Sequence, residues 1–581
     1  MPAEVAWPEA AQPSRWPSLW SVLGCGAVAA AVVAVDAWFS AQEGYLSRAP
    51  DYDGVSYLGT ARSVAHLLIG LHPRAALSEL NSSLAPLWIA AMAFQQLILG
   101  DGTWQAFTAR FWAVAPLLVV VYWIARTRST RSVAMAAVGL TAVLPVVSAA
   151  VRASSLEFFS GQANYGELWS LEDLRPDFFS IVMVLCSIVP LVEHHRAPRR
   201  STYVVSAAFA AAAVLAKPST APLSLLAWGL ALVVVWFWNR KQPSALRLSA
   251  LGLVVLAVLL GPWAIKGGIS GTVSRYYEIS VTFHSTYNLG LGLLDTLTYY
   301  AVRLPEQLGV VEVWAIIAGS ILAAVALLRG RLTRAEWIYG GLFALYWATF
   351  TVISNKNTLV GFWVALPLWI FFVAGMSRLI AARWFVLRTP TSRAGTGGSL
   401  VLGATAAYLL VVYALGAFAL ANWPANEQRS NAQLLSVTTQ IAHEMGRYVS
   451  SDQCFAYAPG PGWPASIEYY MTDSSGKAPS STPVDVNPSM KVADYVTLAS
   501  RCPAVIVYRE DITQVAQQFI AYPVRQPYLR AVADWVRSPG SGYTLDRSWV
   551  FTDLASNGPH SLGNYQGLTL TVDLYVRAQA R

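Results

Sequence analysis

The chain has 581 residues, of which 55% are hydrophobic and only 12% charged, with a mean hydropathy of +0.44. Soluble domains carry roughly a quarter charged residues, so this composition excludes an ordinary soluble protein and indicates a polytopic membrane protein. The net charge of +8 does not argue for nucleic acid, because the Lys and Arg sit in short clusters between apolar runs, as they do in cytoplasmic loops of membrane proteins.

In chain order, the first apolar run, Leu19 to Phe39, is long enough to span a bilayer and lacks a small-residue cleavage site, so it reads as a signal anchor. Apolar runs of spanning size then predict helices over 18–39, 104–125, 132–150, 179–193, 202–217, 221–238, 249–266, 311–329, 336–353, 360–376 and 399–421, eleven in all. With the N-terminus inside, the basic clusters at 125–131, 194–200, 239–247, 330–335 and 377–393 all fall on the cytoplasmic side. The apolar run Leu84 to Gly100 would invert every later loop if it crossed, so it reads as a juxtamembrane or re-entrant element; a twelve-span arrangement is the alternative. The eleven-span reading puts the acids near residue 50, the loops 151–178 and 267–310, and the tail after Ala421 on one external face.

The tail changes character. An amphipathic helix is expected at 431–449, strands at 454–458 and 503–509, a helix at 511–520 and an alternating strand at 568–576. The fold class is therefore a polytopic α-helical membrane protein with a C-terminal extracytoplasmic α/β domain, residues 1–421 and 422–581 respectively. Cys25 and Cys186 fall in apolar spans, where a buried thiol is expected. Cys454 and Cys502 each stand beside a tail strand, so a disulfide is favoured in an oxidising compartment, with two reduced thiols as the alternative.

Ionisable groups beside the membrane are costly and so mark candidate function. Asp51 and Asp53, in the stretch "APDYDGVSYLGTARSV", offer two carboxylates for a divalent cation or for a general base. Asp51 reads equally well as the N-cap of the helix that follows. In the loop 151–178, Arg175-Pro176-Asp177 presents a cation and an anion on a stiffened backbone where a span begins, while Glu167, Glu172 and Asp173 read as a solvated face. Lys217 and Lys356, each at an external helix end, can hold a phosphate as a point charge or snorkel to headgroups. His66, His72 and His284 show no metal spacing.

These residues occur in an order that resembles the GT-C superfamily of integral-membrane glycosyltransferases, which use polyprenyl-phosphate-linked sugars and include the protein mannosyltransferase and aminoarabinose transferase types. Asp53 four residues before Tyr57 resembles the family's Asp-Glu-x-x-Tyr element, with Gly54 standing where the family has Glu. Pro86, Leu87, Trp88, Gly100 and Arg110 follow the family's next stretch, "LRPDFF" its acid before a span, "LAKPST" its Lys-Pro element, and "SNKNTLVGFWVALPLWIFF" its late Lys/Asn-to-Pro segment. Together they cover most of residues 50–373.

The resemblance implies inverting transfer of a sugar from polyprenyl phosphate to a cell-envelope glycan or glycolipid, at the outer face of the cell membrane. It implies Asp53 as base with Asp51 assisting or binding a divalent cation, the one candidate cofactor. Lys217, Lys356, Arg110 and Arg175 are then the cations for the leaving phosphate, and Asp177, Tyr57 and Trp169 the groups that orient the sugar. Residues 267–310, with His284, read as a lid or as an ordered loop packed on the tail. The rival functions are a flippase for lipid-linked sugars and a non-enzymatic envelope-assembly scaffold. Flippases are expected to carry mid-span polar residues and inverted repeats, whereas here the polar residues crowd one face.

Overall fold

The computed structural model describes residues 16–42, 46, 53–148, 151, 174–277, 291–309, 312–330, 332–353, 361–386, parts of 404–414, 425–457, 464–472, 477–482, 490–509, 522–556 and 565–578. Helix α1 (Leu19–Gln42) leads into four shorter ones, α2 (Asp53–Ile69), α3 (Pro73–Ser82), α4 (Pro86–Leu99) and α5 (Thr103–Phe107). Then come α6 (Phe111–Arg128), α7 (Arg131–Ala142), α8 (Asp177–Glu193), α9 (Arg200–Ala216), α10 (Ala221–Trp238) and α11 (Pro243–Ile265). Three short helices, α12 (Gly268–Tyr277), α13 (Leu293–Thr298) and α14 (Leu304–Leu308), precede α15 (Glu312–Leu328), α16 (Arg334–Val352) and α17 (Phe362–Val386).

Runs of Ala, Val and Leu form helices here because a helix satisfies its backbone polar groups internally, the condition for lying in hydrocarbon. Proline occupies the first turn of α3, α4, α10 and α11, where its missing N–H has no partner to lose. Thr333 and Glu336 close a capping box at the start of α16. Small residues let α15 and α17 approach: a Cβ on Gly319 would collide with Phe372, and one on Gly375 with Ala323.

Among the described residues five helices are long and apolar enough to cross a membrane: Leu19–Gln42, Thr103–Arg128, Pro218–Trp238, Ser244–Ile265 and Phe362–Ala381. Four more, including Arg200–Ala216 and Glu312–Leu328, are apolar but shorter. The protein is thus a multi-pass membrane protein, and among the described residues length and composition identify five of the eleven expected spans. A 17-residue helix such as α9 is only about 25 Å long against a hydrocarbon core of about 30 Å. The segment expected over 132–150 stops at Ala142, because Pro145 cannot continue the helix and the chain turns there. Most of the segment expected at 399–421 lies outside the described residues.

Side-chain pairs show which helix ends meet. At one end of the bundle Arg128, closing α6, sits between Glu193, closing α8, at 2.9 Å and Glu336, opening α16, at 2.6 Å. Tyr339 donates its hydroxyl to Glu193 at 2.6 Å, and the basic clusters at 126–131 and 194–200 lie at the same end. At the other end Asp36, near the close of α1, meets Arg110, which opens α6. Phe178 and Phe362, at the starts of α8 and α17, stack edge to face with centroids 6.0 Å apart. α4 has both its ends here: Trp88 near its start donates to the Leu174 carbonyl at 2.5 Å, and α5 after its close runs straight to Arg110. At 14 residues it is about 21 Å long, the dimensions of the juxtamembrane element expected at 84–100.

The C-terminal region forms a five-stranded sheet in the order β2-β1-β3-β5-β4. Its helix α18 (Ala425–Met445) precedes β1 (Cys454–Tyr457), α19 (Pro464–Tyr470), β2 (Ser480–Ser481), α20 (Val492–Ala499), β3 (Ala504–Tyr508), α21 (Tyr522–Arg537), β4 (Tyr543–Ser556) and β5 (Tyr565–Arg577). β1 runs parallel to β2 and β3, whereas β5 is antiparallel to β3 and β4. Apolar side chains cover both faces, Phe455, Ile506 and Leu574 toward α18 and Val505, Val507 and Val532 on the reverse. Cys454 and Cys502 are joined in a disulfide with Cα atoms 4.9 Å apart, and Cys25 and Cys186 are buried free thiols. The helix expected at 511–520 lies outside the described residues, and β4 was not expected. β4 escapes a period-two reading because its register slips between Leu545 and Arg547 and again after Phe551.

Replacing Arg128 by Ala leaves two buried carboxylates without their cation and is expected to destabilise the bundle by about 3–5 kcal/mol, read as a lowered unfolding midpoint in detergent. The disulfide closes 48 residues. Cys454→Ser is therefore expected to remove about 4 kcal/mol from the C-terminal region on the chain-entropy relation, measured by denaturant unfolding of that region's fluorescence.

Candidate functional site

The end of the bundle that carries Asp36 also carries the starts of α8 and α17 and the close of α9. Leu174 adopts φ of 63°, a left-handed conformation uncommon for a side chain of this kind. The turn is held by the Trp88 indole, which donates to the Leu174 carbonyl and packs against Phe179 with centroids 5.2 Å apart. Held strain of this sort collects where side chains must be aimed, and what it aims is Arg175-Pro176-Asp177.

Asp177 opens α8 and is 1% exposed. Its Oδ1 accepts from the Lys217 ammonium, which reaches it from the close of α9. Its Oδ2 has no hydrogen-bond partner among the described residues. A carboxylate oxygen buried without a partner costs free energy on the order of 1–3 kcal/mol, so this atom is suited to a donor such as a sugar hydroxyl. Lys217 keeps 21% of its side chain exposed, so its ammonium has donors to spare for a second anion. Arg175 is buried two residues before Asp177, and Ser180, one turn on, bonds the Ala213 carbonyl of α9 at 3.1 Å and so holds the two helix ends together.

Arg110 closes the short turn ahead of α6. Its side chain is 4% exposed, with Nη1 3.1 Å from Asp36 Oδ2 and Nη2 3.1 Å from the Val147 carbonyl. Ser148 donates to the other Asp36 oxygen at 2.7 Å. The arrangement is a buried ion pair that ties α1 to α6 and to the chain beyond α7. Asp36 was missed from sequence because one acid in an Ala/Val-rich run carries no local pattern.

Tyr57 is 8% exposed and packs into the main core, while Asp53 marks the start of α2 with its side chain outside the described set. Asp51, Trp169, His284 and Lys356 also lie outside it. The structure therefore pairs Asp177 with Lys217, buries Arg175 two residues before Asp177, pairs Arg110 with Asp36, and places Tyr57 one turn into the helix that Asp53 begins. Among the described residues no three His, Cys, Asp or Glu side chains lie close enough to hold a metal ion. The Asp-x-Asp pair considered for a divalent cation falls outside them.

Because Asp177 and Lys217 neutralise each other, Lys217→Gln is expected to lower stability by about 2 kcal/mol. The double variant Asp177→Asn with Lys217→Gln should recover part of that loss, and unfolding midpoints of the four proteins in a double-mutant cycle give the coupling.

No family model matches the chain, and no curated protein matches it. Among solved structures it is similar to ArnT from Cupriavidus metallidurans in the apo state, with a TM-score of 0.54 and 14% identity over 96% of this chain and 97% of that one. It is likewise similar to ArnT from the same organism bound to undecaprenyl phosphate, with a TM-score of 0.52 and 15% identity over 96% and 98% of the two chains. The chain therefore shares the fold of these structures over 96% of its length.

Proposed function

We propose that the protein is a membrane glycosyltransferase that moves a sugar from a polyprenyl-phosphate donor to a cell-envelope glycan or glycolipid acceptor, on the external face and with inversion. The observation that carries this reading is the Asp177–Lys217 pair. A buried carboxylate with one unpartnered oxygen stands beside a partly exposed ammonium, in a chain with the fold of a structure bound to undecaprenyl phosphate.

In this reading the acceptor oxygen attacks the anomeric carbon from the face opposite the phosphate. The bond from that carbon to the phosphate oxygen breaks, and polyprenyl phosphate leaves with the electron pair. Asp53 takes the acceptor's proton, which requires only hydrogen-bond reach of the attacking hydroxyl. Lys217, with Lys356 and Arg175, stabilises the charge that develops on the phosphate. Asp177 fixes a sugar hydroxyl through Oδ2, and Tyr57 and Trp169 help to shape the pocket, while His284 belongs to the covering segment 267–310. Arg110, paired with Asp36, holds α1 against α6 and is a further cation for the phosphate. Residues 1–421 are the catalytic domain in this proposal, and residues 422–581 present the acceptor.

Asp53→Asn in reconstituted protein is expected to lower kcat by about 10²–10⁴-fold, with binding of polyprenyl phosphate retained. Turnover equal to that of the unsubstituted protein would remove Asp53 from the mechanism, and a scaffold would be indifferent to the change.

A further inference from the structure

The C-terminal region touches the helix that begins at Asp53. α19 packs on α2, and the side chain that makes the crossing is Tyr469. The Arg62 guanidinium lies over its ring, 5.5 Å from the centroid. Tyr469 also lies beside Thr103, at the start of α5. Its ring also packs against the main core of the bundle. Arg62 is itself held from the other side: its Nε is 2.6 Å from Asp101 Oδ2, and His66 Nε2, one turn along α2, is 3.3 Å from the same oxygen. Burial within this cluster pushes the Tyr469 phenol above its ordinary range.

α19 is not a loose arm. Glu468 accepts from the Ser481 amide of β2 at 2.5 Å, and Ile467 is buried against the sheet with Phe455. The position of Tyr469 is therefore set by the sheet, and the position of Arg62 by Tyr469 and Asp101 together. Arg62 lies nine residues after Asp53 on one continuous helix, about 13 Å along its axis. A tilt of about ten degrees pivoting at Arg62 moves the start of the helix by about 2 Å, and a misplacement of about 1 Å at a reacting group is enough to cost two orders of magnitude in rate.

We propose that Tyr469 and Arg62 are positioning residues, through which the C-terminal region sets the angle of α2 and thereby the reach of Asp53. This rests on Asp53 as the base of the proposed reaction. Neither residue touches a reacting atom. The cation–ring contact supplies the coupling, because it joins two chain segments about 400 residues apart through a geometry that a displaced ring cannot keep.

The test uses the full chain in lipid nanodiscs, with a polyprenyl-phosphate sugar as donor and hydrogen–deuterium exchange over residues 54–61 as a readout that does not depend on turnover. Tyr469→Ala approaches the contact from the C-terminal side and Arg62→Ala from the bundle side, so a folding defect in one leaves the other informative. Both are expected to lower kcat at least tenfold with the donor KM within twofold, and to speed exchange in α2 at least threefold. Tyr469→Phe, which keeps the ring, should stay within threefold of the unsubstituted kcat. Unchanged exchange in α2 for both Ala variants overturns the inference, as does faster exchange with unchanged kcat. If Asp53→Asn keeps full turnover, the catalytic reading fails by itself, and the exchange data still decide whether Tyr469 holds α2.

Discussion

A charge buried among apolar helices must meet its opposite, and in this chain that requirement sets the register of the bundle. Apolar side chains on neighbouring helices can slide past one another at modest cost, whereas a buried guanidinium that loses its carboxylate costs several kcal/mol. Arg128 between Glu193 and Glu336 ties the ends of α6, α8 and α16. Asp36 with Arg110 ties α1 to α6 at the opposite end, and Asp177 with Lys217 ties α8 to α9. Helices pinned at both ends in this way have little freedom to shift along their axes. Shared small-residue faces such as Gly319 and Gly375 complete the packing between pins.

The pins differ in how far their carboxylate oxygens are engaged. At the Arg128 end both carboxylates are engaged, by Arg128, Tyr339, Thr127 and Thr333. Asp36 is likewise filled by Arg110 and Ser148. Asp177 is the exception: buried, paired through one oxygen, and unpartnered at the other among the described residues. It also follows a turn held in a left-handed conformation at Leu174. The proposed reaction uses this pin, whose hydrogen-bonding capacity is incomplete among the described residues, and the short helices α2 to α5 and the C-terminal sheet gather at that same end.

Much of this was legible in the sequence, for reasons tied to particular residues. Long apolar runs and Arg clusters set the order of the helices, since both signals are local and repeat along the chain. "CFAYA" and "PAVIVYR" read as strands because they are short, apolar and rich in β-branched or aromatic residues. Arg175-Pro176-Asp177 and Lys217 were visible as charges at helix ends, but their meeting was not, because the partners are 40 residues apart. Asp36 with Arg110, separated by 74 residues, was hidden for the same reason. β4 was hidden by its bulges, and the early end of α7 needed more weight on Pro145 than on the apolar residues around it.

The most direct measurement supplies the purified, reconstituted protein with a panel of polyprenyl-phosphate sugars and an envelope glycan fraction, and follows free polyprenyl phosphate together with sugar gained by the acceptor. The account predicts that one donor is consumed, with the two products appearing in equal amounts. Movement of intact donor across the bilayer without cleavage, or no consumption of any donor in the panel, would contradict it.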